Sequence, residues 1–441
     1  MVGGGSIAGL MAARVLADHA EQVVVIERDM AETGAGLRPG VPHGAQLHVL
    51  LPAARRQFDR WFPGFSEQAL AAGMLMIPGG TRRYVNGERK VAVPDEIDQL
   101  TGSRPLIESL VRRRTLELPN VTTISGRVMG IGVDAGRVSG VRYAPVEAPL
   151  AGLDSVIRAD FFVDAMGRSS RLGTWLGEDG WDRPAARRMT IDLNYATAFF
   201  RREDKEPDAS PVVDVLTQDR SPDIAGAAFS AIEDARWIVT IGGYGDHRPG
   251  QNPEDFARRL RTKFPPEFGR VTRSEMLGRI QTYRHGYSLR RDYHRVRRFP
   301  AGVVAVGDAV ATFNPIYGQG MSSAALHAAC LSLYLRSDPD TSRPAAGFFD
   351  LQKVVVDAAW SVSTSADLAL PHVHGPYPPG WRLSNWYNGQ ILAASVVDVS
   401  VARRFNEVTN MLRHPLSLCA PGIGLRALNV NHLNPGRGEG R

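Results

Sequence analysis

The chain has 441 residues, 43% of them hydrophobic and 22% charged, a balance that supports two or three joined domains with large cores and excludes disordered or fibrous classes. Its formal charge of +6 comes from arginines spread along the sequence, densest at Arg112-Arg113-Arg114 and within residues 290–298; such scatter argues against nucleic-acid binding and fits solvated faces with a mild attraction for anionic cofactors. Cys330 and Cys419 are the only cysteines, too few for a disulfide framework, and no apolar run approaches the ~18 residues of a transmembrane segment, so a soluble, cytoplasmic protein is expected.

The N-terminal stretch reads as a βαβ unit. Met1-Val2 enters a glycine-rich turn, residues 7–19 form a small-residue apolar helix, and Val23-Val24-Val25-Ile26-Glu27 is an apolar strand closed by an acid. Glycines at such a turn let the backbone approach a pyrophosphate, the first helical amides face its charge, and Glu27 accepts hydrogen bonds from ribose hydroxyls. The motif has two phases, Gly4, Ser6, Gly9 or Gly3, Gly5, Ala8. The first is preferred, because Ser6 adds only a small side chain and one donor. A central strand usually runs about five or six residues, and only Met1 and Val2 precede the glycines. The natural chain is therefore expected to begin several residues upstream.

Further along, Tyr84-Val85-Asn86-Gly87-Glu88 carries an Asn-Gly hairpin signal. Residues 103–116 read as a helix capped by Ser103 and bearing Arg104, Arg112 and Arg113, and residues 121–125, 128–133 and 137–143 as strands of a meander. A strand at 161–163 delivers the turn Asp164-Ala165-Met166-Gly167-Arg168-Ser169-Ser170-Arg171. Between about residues 189 and 284 apolar and polar side chains alternate, the pattern of an antiparallel sheet with one covered face. Asn252-Pro253-Glu254-Asp255 begins a helix within it. This stretch carries no nicotinamide-type βαβ unit, so a nicotinamide cofactor would have to bind on a shared surface.

Residues 302–306 form an apolar strand ended by Gly307-Asp308, and the loop Asn314-Pro315-Ile316-Tyr317 closes with Gly318-Gln319-Gly320-Met321 before a helix over 322–335. The glycines flanking Gln319 permit close backbone approach by a planar ring, and the helix start favours negative charge. Residues 348–363 and 383–412 read as amphipathic helices. His372 and His374, in the proline-rich loop between them, are too few for a metal site, and no metal is expected. Trp381, Trp386 and Tyr387 line an apolar cavity or pack on the sheet.

Taken together, the Gly3–Gly9 turn with Glu27, the Asp164 turn, and the Gly307-Asp308 and Pro315–Met321 segments resemble the single-component FAD monooxygenases of the aromatic-hydroxylase (p-hydroxybenzoate hydroxylase-like) fold, over nearly the whole chain. Residues 38–51 and 313–321 are similar to the squalene-epoxidase-like branch with its actinomycete polyketide epoxidases. The resemblance implies an α/β fold: a Rossmann-like three-layer ββα FAD-binding domain (1–75, 100–188 and 285–360), an inserted antiparallel-sheet substrate domain (76–99 and 189–284), and C-terminal helices over 361–441.

By the same resemblance, Gly4, Ser6, Gly9, Glu27, Arg28 and Arg38 bind FAD, and Val128 holds the adenine through its backbone. Arg112 reaches the flavin or its phosphates, or else belongs to a solvated face. Asp164 fixes its turn while Arg168 or Arg171 meets phosphate, and Gly307 and Asp308 lie at the ribityl or pyrophosphate segment. Pro315, Gly318, Gly320 and Met321 lie at the isoalloxazine, with the helix start toward its N1 and C2 carbonyl. Ala45 and Gln46 depart from the pattern where Arg and His are expected, which leaves Arg38 to carry more of that contact; His48 fits the pattern and fits equally a packed core histidine.

The implied activity uses NADPH or NADH and dioxygen to hydroxylate or epoxidise an apolar organic metabolite of secondary metabolism through a flavin C4a-hydroperoxide. The cofactor carries the chemistry, so no catalytic side chain is singled out. Alternatives on the same fold are a flavin-dependent reductase, a halogenase (although the Trp-x-Trp-x-Ile-Pro signature is absent) and a catalytically silent flavin-binding protein. A monomer or homodimer is expected.

Overall fold

Val23–Glu27 is apolar at successive positions, as a strand covered on both faces must be. In the computed structural model, which describes residues 1–29, 34–146, 155–203, 209–216 and 224–433, it lies inside a seven-stranded sheet. The spatial order is Val303–Ala305, Phe162–Asp164, Val2–Gly3, Val23–Glu27, Val121–Asp134, Arg137–Pro145, Ser155–Arg158. The first five strands run parallel and the rest antiparallel. Parallel neighbours require crossovers, and the helices Ile7–Leu16, Arg104–Leu116 and Gly320–Leu335 share one continuous core with the sheet. Two strands expected at 121–125 and 128–133 are one, Val121–Asp134. Its first part pairs with Val23–Glu27 and its second with Arg137–Pro145, so Gly126 does not interrupt it.

The alternating middle of the chain builds an eight-stranded sheet, ordered Ala311–Thr312, Met276–Arg291, Ala186–Arg201, Arg236–Tyr244, Ile224–Ile232, Val212–Val215, Arg82–Val85, Glu88–Arg89. One face is sealed by Pro253–Lys263 and Pro266–Val271, whose Phe256, Leu260 and Phe268 pack on Phe200, Phe229 and Trp237. Edge-to-face ring pairs such as Phe229 with Trp237 and with Phe268 add to that burial. The strands Ala186–Arg201 and Met276–Arg291, sixteen residues each, pair along nearly their whole length. They run through residues 188/189 and 284/285, the expected limits of the inserted domain, so the sheet is continuous there. Asn86 and Gly87 both take positive φ between Arg82–Val85 and Glu88–Arg89, as the hairpin signal requires.

The helical run expected over 383–412 is divided into Trp381–Val397 and Val399–Thr409. Asp398 divides it: its carboxylate accepts from the amides of Ser400 and Val401 and pairs with Arg426 of a further helix, Pro421–Leu433. Among the described residues no helix is long and apolar enough to cross a membrane. No group of three His, Cys, Asp or Glu among them is placed to hold a metal ion.

Candidate cofactor and substrate cavity

The glycine turn is built from close approaches. Gly4 has φ +105, and a Cβ there would run into the Ala165 carbonyl; a Cβ on Gly9 would run into the carbonyl oxygen of Gly4. The phase Gly4, Ser6, Gly9 is therefore the one the fold uses. Ser6 stands at the N-cap of Ile7–Leu16 but makes no capping bond, since its hydroxyl donates to Glu108 at 2.8 Å. The first turn of the helix also has no acidic side chain. Its opening amides therefore have no side-chain acceptor and face the cavity, which suits a pyrophosphate. The Glu27 carboxylate accepts from the amides of Gly5 (2.6 Å), Arg28 (2.8 Å) and Asp29 (3.2 Å), holding the turn from the next strand.

Below this turn lies a buried charge cluster. Glu108 is ringed by Arg38, Arg104 and Arg112. Burial alone would raise its carboxyl, but Arg104, Arg38, the Ser6 hydroxyl and Arg112 together hold it at about 2. Arg38 and Arg112 also donate to the Gly5 carbonyl, at 3.3 and 3.2 Å. Both arginines brace the loop in this way, and neither lines the cavity. Arg104, one turn away on the same helix as Glu108, does line it.

The second turn works similarly. Asp164 is fully buried and accepts from the Met166 amide (3.0 Å) and the Ser170 hydroxyl, so it fixes the backbone and does not reach the cavity. Arg168 and Arg171 do reach it. Arg168 donates to the Tyr287 carbonyl at 2.9 Å and lies 3.8 Å over the Tyr287 ring. At the third segment the Gly307 amide donates to buried His327 at 2.9 Å. Asp308 faces the cavity, its carboxyl raised to about 6 by burial despite the opposing pull of Arg168, Arg104 and Arg291. The helix Gly320–Leu335 begins with no acid in its first turn, and the buried Gln319 Oε1 and Ser322 Oγ have no hydrogen-bond partner among the described residues.

These segments meet at a cavity of about 2140 Å³, beyond the roughly 300–1,000 Å³ of an ordinary small-molecule site. Gly4, Ser6, Glu27, Arg28, Val128, Gly307, Asp308, Pro315, Gly318, Gly320 and Met321 all line it, while Gly9, Arg38, Arg112 and Asp164 support it from behind. A glycine cradle that a Cβ would fill, two helix starts without acceptors and orphaned polar atoms beside Gly320 together fit a dinucleotide carrying a planar ring. Trp386 lines the cavity; Trp381 and Tyr387 pack elsewhere, Tyr387 donating to the Leu418 carbonyl at 2.7 Å.

Two lining histidines, His43 and His285, carried no expectation from the sequence. His43, His48 and His285 gather beside Tyr283. Burial, then the nearby Arg104, holds His43 at about 4; burial, then Arg168 and His43, holds His285 at about 3. His48 is likewise depressed by burial and donates to the Gln46 carbonyl at 2.9 Å. The imidazoles are thus neutral at physiological pH. Gln46, which stands where a histidine is expected, accepts from the Thr197 hydroxyl at 2.6 Å and ties its loop to the eight-stranded sheet. Under the Asn314–Tyr317 turn, buried Asp367 accepts from Asn314 (2.7 Å), Tyr317 (3.2 Å) and Ser363 (3.3 Å), with Tyr195 and Tyr244 nearby.

No family model matches the chain. It is 31% identical over 433 residues to Protein Rv3254 of Mycobacterium tuberculosis (strain ATCC 25618 / H37Rv), spanning 93% of this chain and 90% of that protein. Among solved structures, the flavin-dependent brominase Bmp2 superposes with a TM-score of 0.67 at 16% identity, covering 99% of this chain and 98% of that one. The p-nitrophenol 4-monooxygenase PnpA from Pseudomonas putida DLL-E4 does so with a TM-score of 0.61 at 18% identity, covering 94% and 97%. What is shared at these identities is the mixed α/β fold of the flavin-dependent hydroxylases.

Proposed function

The chain belongs to the family of Protein Rv3254, and from that premise we propose that it is an FAD-dependent monooxygenase. It takes electrons from NADPH or NADH and places one atom of dioxygen on an apolar organic metabolite, by hydroxylation or epoxidation. One observation carries this reading: the Gly4–Gly9 turn, the Asp308 turn and the start of Gly320–Leu335 converge on one cavity large enough for a dinucleotide and a second molecule.

FAD, when bound, supplies hydride acceptance and dioxygen activation. The protein's residues do the rest. The Gly4 turn and the amides opening Ile7–Leu16 would hold the pyrophosphate, and Glu27 the adenosine ribose. Asp308 would accept from the ribityl hydroxyls, and the amides of Gly320 and Met321 would face the electron-rich edge of the ring. The Asn314–Tyr317 turn, pinned to Asp367 from below, sets the wall against which the substrate is held. Neutral imidazoles and tyrosines line the space without adding charge, which favours exclusion of water and an apolar guest.

The decisive experiment measures NAD(P)H oxidation and oxygen uptake with candidate substrates under labelled dioxygen, with mass spectrometry of the products. Substrate-dependent uptake with one labelled oxygen in the product supports the reading. Turnover without oxygen consumption points instead to a reductase, a brominated product with added bromide to a halogenase, and flavin binding without turnover to a silent binder.

A further inference from the structure

The cavity continues far beyond the three turns. It takes at least one residue from every strand of the eight-stranded sheet, from Thr312 at one edge to Glu88 at the other. Eight strands have seven spacings, which at ~4.8 Å each is about 34 Å measured along the curled sheet. The turn bearing Pro315 and Gly318 follows directly from the first edge strand. Lys90 follows directly from the last.

Lys90 is an unusual group to find in such a wall. It is 7% exposed, and its Nζ has no hydrogen-bond partner among the described residues. The nitrogen lies 4.2 Å over the ring of Phe405, on helix Val399–Thr409. The nearby carboxylate, Glu96, is engaged elsewhere, paired with Arg83 at 2.7 Å and accepting from Asn406 at 3.2 Å. Burial depresses the Lys90 ammonium to about 7, with Arg83 adding to the effect and Glu96 opposing it. A buried amine without a hydrogen-bond partner costs desolvation that the Phe405 ring and Glu96 offset only in part, and a ligand bringing its own negative charge would offset more of it. The Phe405 face stabilises the ammonium form, and Arg83 adds positive potential. Both features favour an oxyanion over a carbonyl, which would need the free amine to form an imine.

We propose that Lys90 anchors a carboxylate, or a comparably acidic oxyanion, at one end of an elongated apolar substrate. The opposite end of that substrate lies at the Pro315–Gly318 turn. The assignment rests on the monooxygenase reading for what happens at that opposite end. On binding, the carboxylate pairs with Nζ in its ammonium form, and any neutral fraction of Nζ takes its proton from solvent; no other bond changes.

The test is titration calorimetry of the full chain with two pairs of probes, dodecanoate against dodecanamide and 2-naphthylacetate against 2-naphthylacetamide. The wild type is expected to prefer each acid over its amide at least about tenfold. Lys90→Met should abolish the preference by weakening the acids far more than the amides, and Lys90→Arg should retain it. Lys90→Gln, read alongside, keeps the comparison available where the methionine variant fails to fold. Equal binding of acid and amide by the wild type, or an acid preference that survives in K90M and K90Q, overturns the proposal. Flavin content of the same samples separates it from the parent reading. A protein that takes no FAD yet shows Lys90-dependent acid preference sinks the monooxygenase assignment alone, and a flavin-loaded protein with no preference sinks the anchor alone.

Discussion

At the glycine turn the fold depends on close main-chain approaches at Gly4 and Gly9, whereas across the eight-stranded sheet the cavity is lined by residues with large side chains such as Tyr195, Tyr244, Tyr283 and His285. The two constructions have different tolerances. At Gly4 and Gly9 an added Cβ strikes the carbonyl of Ala165 or of Gly4. Exchanging a side chain in the sheet wall alters the shape presented to a guest and leaves the ladder beneath intact.

The largest effect that would break this contrast is expected at Gly9. Gly9→Val should abolish FAD uptake and lower stability by more than about 4 kcal/mol, because the Gly4 carbonyl occupies the space; FAD absorbance and urea denaturation measure it. A variant that folds and turns yellow normally would show the wall to be compliant. Next is Glu108→Gln, which leaves buried Arg104 and Arg112 without the carboxylate they pair with, Arg38 keeping Asp29 and Glu27, and should cost about 3–5 kcal/mol, read from denaturation midpoints. Third, Asp308→Ala should weaken FAD by about 1.5–3 kcal/mol, roughly 10- to 150-fold in a fluorescence titration, with little change in melting temperature. Unchanged affinity would remove Asp308 from the ligand contacts.

The smallest effect sharpens the other side of the comparison. Burial raises the Asp367 carboxyl to about 7, against the pull of Asn314, Tyr317 and Ser363. The folded chain then keeps a proton that the unfolded chain releases above about pH 4, so the stability this group contributes is fully present below that value and is lost as pH rises toward 7. Asp367→Asn should remove that loss. Melting temperatures of the wild type should fall relative to the variant between about pH 4.5 and 7.5; parallel curves would show that Asp367 is ionised throughout.

The parts of the fold legible beforehand were those governed by local backbone rules. The glycine phase, the Ser103 cap, the hairpin at Asn86-Gly87, the Asp164 turn and the helix after Gly318 each depend on a few adjacent residues. Which arginine faces the cavity was not legible, since Arg104, Glu108 and Arg112 recur at four-residue spacing on one helical face and only the packing of that helix separates them. Asp398 gave little warning because an aspartate can sit on a solvated helical face as readily as at a cap. Asp367 and Tyr195 are brought together by topology, and Gln46, standing where a histidine is expected, is a strut to Thr197.

The Gly5 carbonyl, gripped by Arg38 and Arg112, has a thermodynamic consequence. Two rigid forks anchored on Glu108 immobilise the peptide before any guest arrives, so the entropy of ordering that hairpin-tight bend is charged to folding and is absent from the association equilibrium. A nucleotide docking there meets a finished mould.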